Sequence, residues 1–301
     1  MASRGFSEDD VPDQSGRGFV VTGANTGIGF EAARVLAARG ARVVLACRDQ
    51  GKAETAMDRI RQASPGAELA FAPLDQADLA SVRAAAARIA EEPRLDGLVN
   101  NAGVMVPPLT RTKQGFELQF GVNHLGSFAL TALLLPKLAE TPGARVVVTS
   151  SLAHRRGRMN WDDLNAERKY SRGAAYNQSK LANALFAVEL DRRLRAAGSP
   201  VTAVGCHPGV AGTDLGRHIG AAPVLFRLLG PFINSPAMGA WPTLLAATGP
   251  VKPGGFYGPT SLREMRGLAG EAVLDDKAKN PEDARRLWDV SVAMTGVEPA
   301  L

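Results

Sequence analysis

Two side chains that together could move a proton, Tyr176 and Lys180, stand four residues apart. Apolar residues recur around them at helical spacing and predict a helix over Arg172–Leu194. Because four residues make just over one helical turn, the phenol and the ammonium share one face. A nearby ammonium lowers the pKa of a tyrosine from its usual ~10, so the pair could exchange a proton near neutral pH. Taken alone, the same spacing also fits a helix-start tyrosine packed on a solvated lysine.

A glycine-rich stretch is the second candidate for chemistry. It follows a short apolar strand over Arg17–Thr22 and precedes a helix that runs through Arg39. Glycines let the backbone turn tightly and approach a phosphate, and a helix N-terminus adds N–H donors and a positive dipole. Strand, turn and helix together predict a pyrophosphate site, with a glycine turn that holds no ligand as the alternative. The predicted contacts are Gly23, Asn25, Thr26, Gly27, Ile28 and Gly29.

Strands alternate with helices along most of the chain, which predicts an α/β fold. The expected architecture is a single Rossmann-type, doubly wound parallel sheet with helices on both faces. Expected strands are Ala41–Ala46, Leu69–Leu74, Leu95–Val99, Arg145–Thr149 and Val201–Cys206, and expected helices are Gln50–Gln62, Asp78–Ala90 and Phe116–Leu138. Open α/β sheets bind ligands at the carboxyl ends of their strands. The residues at those ends are Gly23, Arg48, Asp75, Asn100, Ser151 and Pro208.

Two further positions are unusual for their local structure. Asn123 lies near the middle of the long predicted helix, where asparagine is mildly unfavourable and needs another reason to be present. Ser150 and Ser151 directly follow the fifth strand, where two serines could equally form a turn or a helix cap.

The length of 301 residues is compatible with a single domain over residues 1–301, of which residues 1–16 form a polar N-terminal extension. Apolar runs broken by Gly-Pro and Ser-Pro over Ala211–Thr248 predict a small helical substrate lid, with ordinary core helices as the alternative. Gly255–Tyr257 is predicted to be the last, edge strand of the sheet. Asn280 is predicted to cap a final helix that begins at Pro281.

Composition excludes several classes of protein. The net charge of +5 is carried by scattered arginines, which argues against a nucleic-acid-binding protein. Signal-peptide and transmembrane patterns are absent from the sequence, so no membrane association is expected. Cys47 and Cys206 end predicted strands and are expected to be reduced, which predicts a cytoplasmic location. The four histidines show no metal-ligand spacing, so no metal site is expected.

The ordered set of motifs resembles the short-chain dehydrogenase/reductase family over nearly all of Arg17–Tyr257. The matching pieces are Thr22-Gly23-x3-Gly27-x-Gly29, Asp75, Asn100-Asn101-Ala102-Gly103, Asn123, Ser151, Tyr176-x3-Lys180 and Pro208-Gly209 with Thr213. Within the family, four motifs are similar to the retinol-dehydrogenase-like and protochlorophyllide-reductase-like branch: Ala46-Cys47-Arg48, Val122-Asn123-His124-Leu125-Gly126, Ser150-Ser151-Leu152-Ala153-His154 and Trp161-Asp162-Asp163-Leu164.

The resemblance implies a mechanism. Tyr176 would be the general acid towards a ketone or aldehyde, or the base towards an alcohol. Lys180 would lower the pKa of Tyr176 and hold the nicotinamide ribose, Ser151 would hydrogen-bond the substrate oxygen, and Asn123 would position Lys180 through a water. The resemblance also implies cofactor contacts at Gly23, Asn25, Thr26, Gly27, Ile28, Gly29, Arg48, Asp75, Asn100, Ala102, Gly103, Tyr176, Lys180, Pro208, Gly209, Val210 and Thr213.

The end of the second strand predicts which dinucleotide is used. Enzymes that use NAD place a carboxylate there, whereas this chain has Arg48, which can pair with a 2′-phosphate. We therefore expect NADP(H) to be preferred over NAD(H), unless Arg48 is merely a solvated strand-end residue. The expected partner is an apolar ketone, aldehyde or alcohol, and homo-oligomerisation is left open. The alternative function is a catalytically silent NADP-binding regulatory or interaction protein on the same fold.

Overall fold

The computed structural model describes residues 5–212 and 233–301. The strands there are β1 (Gly18–Thr22), β2 (Arg42–Cys47), β3 (Leu69–Pro73), β4 (Gly97–Asn100), β5 (Arg145–Thr149), β6 (Thr202–Cys206), β7 (Phe256–Ser261) and β8 (Arg266–Glu271). The main helices are α1 (Gly27–Ala38), α2 (Gln50–Ala63), α3 (Leu79–Ala90), α4 (Leu118–Ala139), α5 (Arg172–Ala196), α6 (Pro236–Thr248) and α7 (Pro281–Thr295). The predicted strands β1 to β6 are confirmed to within about two residues at each end.

One eight-stranded sheet joins these elements in the order β3-β2-β1-β4-β5-β6-β7-β8. Strands β1 to β7 are parallel, and β8 pairs with β7 in the antiparallel sense. The chain winds outward from β1 in one direction and from β4 in the other. A crevice therefore opens at the carboxyl ends of these two neighbouring strands. The predicted doubly wound α/β fold is confirmed.

Both faces of the sheet are covered, which explains why its strands are almost continuously apolar. Val21 of β1 packs into a core formed with α1, α2 and α6, while Val20 points into a core formed with α3, α4, α5 and α7. Both valines are fully buried. Because each central strand is buried on two sides, its carboxyl end has little freedom to move, and the loops that follow are held in fixed positions.

The edge of the sheet differs from the prediction. Strand β7, which contains the predicted edge residues Phe256 and Tyr257, lies between β6 and β8, so the prediction of a last edge strand there is wrong. Three left-handed residues and a bulge allow the chain to fold back into β8, a reversal that the local sequence does not signal. The outer side of β8 pairs with Phe6 through two backbone hydrogen bonds of 2.8 Å at Ala269. The N-terminal extension is therefore partly built into the fold.

The long helix α4 is not a regular α-helix throughout. Its segment Gly121–Leu125 has π-helical hydrogen bonding, and this segment contains Asn123. By length and composition α4 could cross a membrane, but 89% of its most apolar window is buried inside the fold. That burial is what a core helix requires, so the apolar character of α4 is weak evidence for a membrane span.

The C-terminal part of the predicted lid is a core helix. Within α6, Ala240, Leu244 and Ala246 are fully buried in the core that also contains α1. Residues 236–248 therefore form a core helix, the alternative interpretation, and not part of a lid. The apolar runs at Val224–Phe226 lie outside the described residues, so the lid remains a prediction there. Asn280 caps α7 ahead of Pro281, as predicted.

Candidate functional site

A cleft of about 650 Å³ lies at the carboxyl ends of the strands, where the order of the sheet reverses. Its volume is in the range usual for small-molecule and cofactor sites. Most residues predicted from the sequence line it: Gly23, Asn25, Thr26, Gly27, Ile28, Gly29, Arg48, Asp75, Ala102, Gly103, Ser151, Tyr176, Lys180, Pro208, Gly209 and Val210. Asn100 and Asn123 do not line it, and Thr213 lies outside the described residues.

The glycine turn has room for a ligand only because it lacks side chains. Gly23 has a φ of +66°, and a Cβ atom there would lie 3.1 Å from Ala102. A Cβ atom at Gly29 would lie 2.4 Å from the side chain of Asn101 and 2.5 Å from the carbonyl oxygen of Gly23. The helix α1 begins at Gly27, so the N–H groups of its first turn face the cleft without intrahelical partners. This backbone cradle fits a dinucleotide pyrophosphate.

Two cations line the cleft beyond the end of β2. Arg48 was predicted there, and Lys52 in the first turn of α2 was missed. The Lys52 ammonium is 72% exposed and lies 3.6 Å from the Asp49 carboxylate, whose main contact is the cap of α2. The spacing of four residues between Arg48 and Lys52 could have indicated a shared location, because a strand end followed at once by a helix brings them to one edge.

The end of β3 supplies the next side of the cleft. Asp75 accepts a hydrogen bond of 2.9 Å from the backbone N–H of Ala77, which fixes its carboxylate in a tight turn. Gln76 also lines the cleft and was not predicted. Its amide nitrogen donates to Ser127 at 2.9 Å, so α4 holds this side chain in place.

Tyr176 and Lys180 share one face of α5, as predicted, and both are largely buried where they line the cleft. The Lys180 ammonium lies 5.9 Å from the centre of the Tyr176 ring and donates to the carbonyl oxygen of Thr149 at 3.2 Å. Burial lowers the pKa of Lys180 to about 8. At neutral pH the side chain is therefore still largely cationic.

The pKa of Tyr176 shifts in the direction opposite to the prediction. Burial raises it, because a phenolate loses its hydration in the protein interior, and the hydrogen bond with Ser151 opposes this only in part. Burial and Ser151 account for the shift, and the Lys180 ammonium is not among its causes, so the lowering expected from Lys180 is not found in this geometry. Tyr176 is consequently a protonated hydroxyl at neutral pH.

The structure distinguishes the two serines. The Ser150 hydroxyl is buried and donates to the carbonyl oxygen of Lys180 at 2.7 Å, which anchors β5 to α5. The Ser151 hydroxyl instead lies at the cleft, where it hydrogen-bonds Tyr176 and accepts from the N–H of Ala153 at 3.2 Å. Ser151 also caps the short 3-10 helix Leu152–Arg156. The predicted choice of Ser151 as the site residue therefore agrees with the geometry.

Asn123 is fully buried behind the cleft. Its amide oxygen accepts from the N–H of Val104 at 2.7 Å, and its amide nitrogen donates to the carbonyl oxygen of Val104 at 3.0 Å and to Ser179 at 2.9 Å. All of these contacts join α4 to α5 and to the loop after β4. The side chain thus holds the wall that contains Val104, and the indirect role predicted for Asn123 fits its position better than substrate contact would.

Asn100 and Asn101, at the end of β4, point in opposite directions, and only Asn101 lines the cleft. The Asn100 side chain is buried and donates to Thr131 at 2.9 Å, so its placement does not support direct cofactor contact. Asn101 lines the cleft instead, and its amide nitrogen donates to the carbonyl oxygen of Thr22 at 2.9 Å. Since side chains alternate across a strand, consecutive asparagines at its end point in opposite directions.

The loop after β6 also lines the cleft. Gly209 has a φ of +71°, and a Cβ atom there would lie 2.4 Å from the carbonyl oxygen of Met265. The N–H of Val210 donates to that same oxygen at 2.9 Å. The loop therefore rests directly against the turn between β7 and β8.

The outer part of the cleft is apolar and was largely missed by sequence reasoning. It is lined by Val104, Met105, Pro107, Pro108, Leu118, Val122 and Leu152. The loop that carries the first four of these is tied to the segment before α5, because the Tyr170 hydroxyl donates to the carbonyl oxygen of Pro107 at 2.9 Å. These residues are separated widely in the sequence and share no motif.

One family model and two curated proteins show which family the chain resembles. A family model for short chain dehydrogenase matches residues 18–223. Retinol dehydrogenase 12 of Mus musculus is 43% identical over 291 residues, which cover 94% of this chain and 87% of that protein. Retinol dehydrogenase 13 of Homo sapiens is 45% identical over 291 residues, which cover 94% of this chain and 86% of that protein.

Solved structures agree with these matches. The crystal structure of an uncharacterized protein from Mycobacterium Paratuberculosis is 41% identical, with a TM-score of 0.83 and coverage of 99% of this chain and 100% of that chain. The Pseudomonas aeruginosa RhlG/NADP active-site complex is 27% identical, with a TM-score of 0.63 and coverage of 80% of this chain and 94% of that chain.

Proposed function

Because the chain belongs to the short-chain dehydrogenase family and is an NAD(P)-dependent oxidoreductase, we propose that it reduces an apolar ketone or aldehyde and prefers NADPH. One observation carries the proposal. The Tyr176 hydroxyl, which is hydrogen-bonded to Ser151, lines the same cleft as the glycine cradle. A proton donor and a dinucleotide site therefore share one enclosure.

The side chains support the reductive direction. The bound nicotinamide cofactor would supply the hydride. Tyr176 is protonated at neutral pH, as a phenol with the usual pKa of ~10 is and as the upward shift by burial maintains, so its hydroxyl can supply the proton to a carbonyl oxygen. Ser151 can donate to the same oxygen as negative charge develops on it. The Lys180 ammonium, held by the carbonyl oxygen of Thr149, adds a positive charge on the same side of the cleft.

The apolar outer wall supports the substrate class. Met105, Pro108 and Leu152 leave few polar groups to recognise a hydrophilic substrate, so shape and hydrophobic contact would select it. Two relatives are named retinol dehydrogenases, which makes a long apolar aldehyde such as retinal a reasonable member of any substrate panel. We also propose a cytoplasmic location, supported by the buried free thiols of Cys47 and Cys206.

The proposal is tested by following the absorbance of NADPH with a panel of carbonyl compounds. The panel should contain aliphatic aldehydes of increasing length, cyclic ketones, retinal and a hydrophilic sugar aldehyde. We expect turnover with apolar members and little with the sugar. Tight NADPH binding without turnover of any member would instead support the silent regulatory alternative.

Arg48 and Lys52 carry the proposed preference for NADPH. Both lie where a 2′-phosphate would extend from the adenosine ribose, and two cations there attract its charge more strongly than one. We expect Arg48→Ala to weaken NADPH binding by about 1–3 kcal/mol, the usual value of a hydrogen bond to a charged group. Lys52→Ala should cost less, because its ammonium is largely exposed and is screened by solvent.

The measurement is the dissociation constant of each variant for NADPH and for NADH. Arg61→Ala is the matched control, because Arg61 lies on the same helix α2 and pairs with Asp58 at the surface, away from the cleft. Affinity for NADH should change little in all three variants. Wild-type preference for NADH, or an unchanged ratio in Arg48→Ala, would remove Arg48 as the selecting residue.

Cofactor affinity should also depend on pH through Lys180. Its ammonium loses its proton as the pH rises through about 8. Since the charged form would donate to the bound cofactor, we expect NADPH affinity to fall about tenfold above this pH. Fluorescence titrations between pH 6.5 and 9.5 measure the effect. Lys180→Met should bind weakly with no inflection near pH 8, and an unchanged inflection in that variant would assign it to another group.

The same pKa shift affects folding stability with a defined sign. The pKa of Lys180 is lower in the folded protein than its usual value of 10.5, so the unfolded chain binds more protons between pH 8 and 10.5. Lys180 therefore destabilises the fold fully below pH 8, and this cost is relieved as the pH rises towards 10.5. The free energy of unfolding, measured with denaturant, should rise between pH 8 and 10.5 in the wild type, and the contribution of Lys180 to this rise should be absent in Lys180→Met.

A further inference from the structure

The turn between β7 and β8 contains three consecutive non-glycine residues in the left-handed region. Leu262, Arg263 and Glu264 have φ values of 49°, 56° and 66°. Each such residue carries a conformational cost, and positions of this kind persist only where the surroundings hold them. The third of them, Glu264, makes contacts that account for its position.

Glu264 is the centre of a half-buried charge cluster. Its Oε2 atom accepts from Nη2 of Arg155 at 2.5 Å and from Nε2 of His207 at 3.0 Å. Its Oε1 atom accepts from the backbone N–H of Val273 at 3.0 Å. The carboxylate side chain is only 14% exposed. Burial alone would raise the pKa of Glu264, but the hydrogen bond from His207 and the other contacts outweigh burial and lower it, so the group is ionised.

His207 connects Glu264 to the loop after β6. Its ring is fully buried, and its Nδ1 atom accepts from the N–H of Gly209 at 3.1 Å. Because Nδ1 is an acceptor, the ring proton is on Nε2, and it is donated to Glu264. Burial lowers the pKa of His207, which keeps it neutral in this arrangement. The imidazole therefore links Glu264 to the cleft-lining loop Pro208–Val210.

Arg155 connects Glu264 to the segment that begins at Ser151. It belongs to the 3-10 helix Leu152–Arg156, whose N-cap is Ser151. In the same helix, Nδ1 of His154 lies 2.6 Å from the carbonyl oxygen of Ser151. Movement of this short helix would therefore displace the Ser151 hydroxyl relative to Tyr176.

We propose that Glu264 is a positioning residue that fixes Ser151 and the loop Pro208–Val210 on the two sides of the cleft relative to one another. This inference rests on the proposed function. Glu264 lies behind both segments and does not line the cleft. It acts through Arg155 on the serine and through His207 on the cofactor loop. A turn that is costly in conformation brings this one carboxylate between two segments far apart in the sequence.

Three substitutions test separately the two links of Glu264, one to Arg155 and one to His207. Glu264→Gln keeps the shape of the side chain and removes the charge that pairs with Arg155. An amide NH₂ that faces Arg155 and His207 breaks both links, because both donate to the same oxygen, whereas an NH₂ that faces Val273 breaks only the contact with its N–H. In His207→Asn an amide oxygen can replace Nδ1 as the acceptor for Gly209, while the link to Glu264 is lost. Arg155→Met keeps the length of the side chain and removes the charge. Glu271→Gln is the control, because Glu271 lies on β8 in an exposed pair with Lys252.

We expect Glu264→Gln to lower kcat about 10- to 100-fold, the effect of misplacing a catalytic group by about 1 Å, and to weaken NADPH binding as well. Arg155→Met should mainly lower kcat, and His207→Asn should mainly raise the Kd for NADPH. Combining Arg155→Met with Glu264→Gln should be no worse in kcat than Glu264→Gln alone, since both remove the same link. Glu271→Gln should match the wild type.

All kinetic and binding measurements are made at least 20 °C below the Tm of the least stable variant, so that loss of stability does not imitate loss of positioning. Wild-type kcat and Kd in Glu264→Gln, with only a lowered Tm, would overturn the proposal and leave Glu264 with a structural role alone. If Glu264→Gln does not fold, the separation of kcat from Kd between Arg155→Met and His207→Asn decides the question. If the wild type reduces no carbonyl, the proposed function fails, while an unchanged Kd in His207→Asn would still refute the positioning of the cofactor loop.

Discussion

Tyr176→Phe is expected to lower kcat by at least ~10²-fold, which is the lower end of general acid–base contributions, while NADPH still binds. The substitution removes only the hydroxyl that hydrogen-bonds Ser151 and leaves the buried ring in place. A large effect on kcat without a comparable effect on the Kd for NADPH would therefore show that this hydroxyl moves the proton. The measurement combines steady-state kinetics on the best apolar substrate with fluorescence titration of NADPH.

Tyr257→Phe is the matched control for this prediction. The Tyr257 hydroxyl accepts from the N–H of Lys252 at 2.7 Å, and it is outside the residues that line the cleft. Its loss should cost about 1 kcal/mol of stability and leave kcat unchanged. A near-normal kcat in Tyr176→Phe with a good substrate would refute the assignment of Tyr176 as the acid.

Gly29→Ala is the second substitution with a large expected effect, this time on cofactor binding and folding together. The added methyl group would lie 2.5 Å from the carbonyl oxygen of Gly23, a backbone atom that cannot move without opening the turn. We expect a loss of about 1–3 kcal/mol in stability, as for other overpacked sites. Because the same shift distorts the cradle, NADPH affinity should fall at least about tenfold.

Gly66→Ala provides the comparison, since a Cβ atom there meets no other atom within 4 Å. Its stability should remain within about 0.5 kcal/mol of the wild type, as for most surface substitutions. Denaturant unfolding and NADPH titration of both variants decide the matter. If Gly29→Ala binds NADPH as tightly as the wild type does, the glycine turn is not the pyrophosphate site.

Sequence reasoning succeeded where the physical signal is local. The strand of apolar residues before Gly23, the glycines of the turn and the helix after it lie within about twenty residues, so their relative geometry follows from the backbone alone. The spacing of Tyr176 and Lys180 likewise determines a shared helix face. These features can be inferred without knowing what the rest of the chain does.

It failed where a property depends on the surroundings of a group. The pKa of Tyr176 was expected to fall because of Lys180, yet burial raises it, and burial depends on strands and helices from the whole chain. Asn100 and Asn101 could not be distinguished until the direction of each side chain at the end of β4 was known. The antiparallel strand β8 was missed because its pairing with β7 depends on left-handed residues that have no glycine to signal them.

The sequence by itself therefore determined the α/β class, the position of the central strands along the chain, the glycine turn between β1 and α1, and the shared helix face of Tyr176 and Lys180, because each is encoded in short-range periodicity and spacing. Only the tertiary structure decided that Lys52 joins Arg48, that Asn101 rather than Asn100 lines the cleft, and that Glu264 lies behind both Ser151 and the Pro208–Val210 loop. The geometry of these contacts is set by how the sheet and its helices pack, and for Glu264 the contacts join segments far apart in the chain.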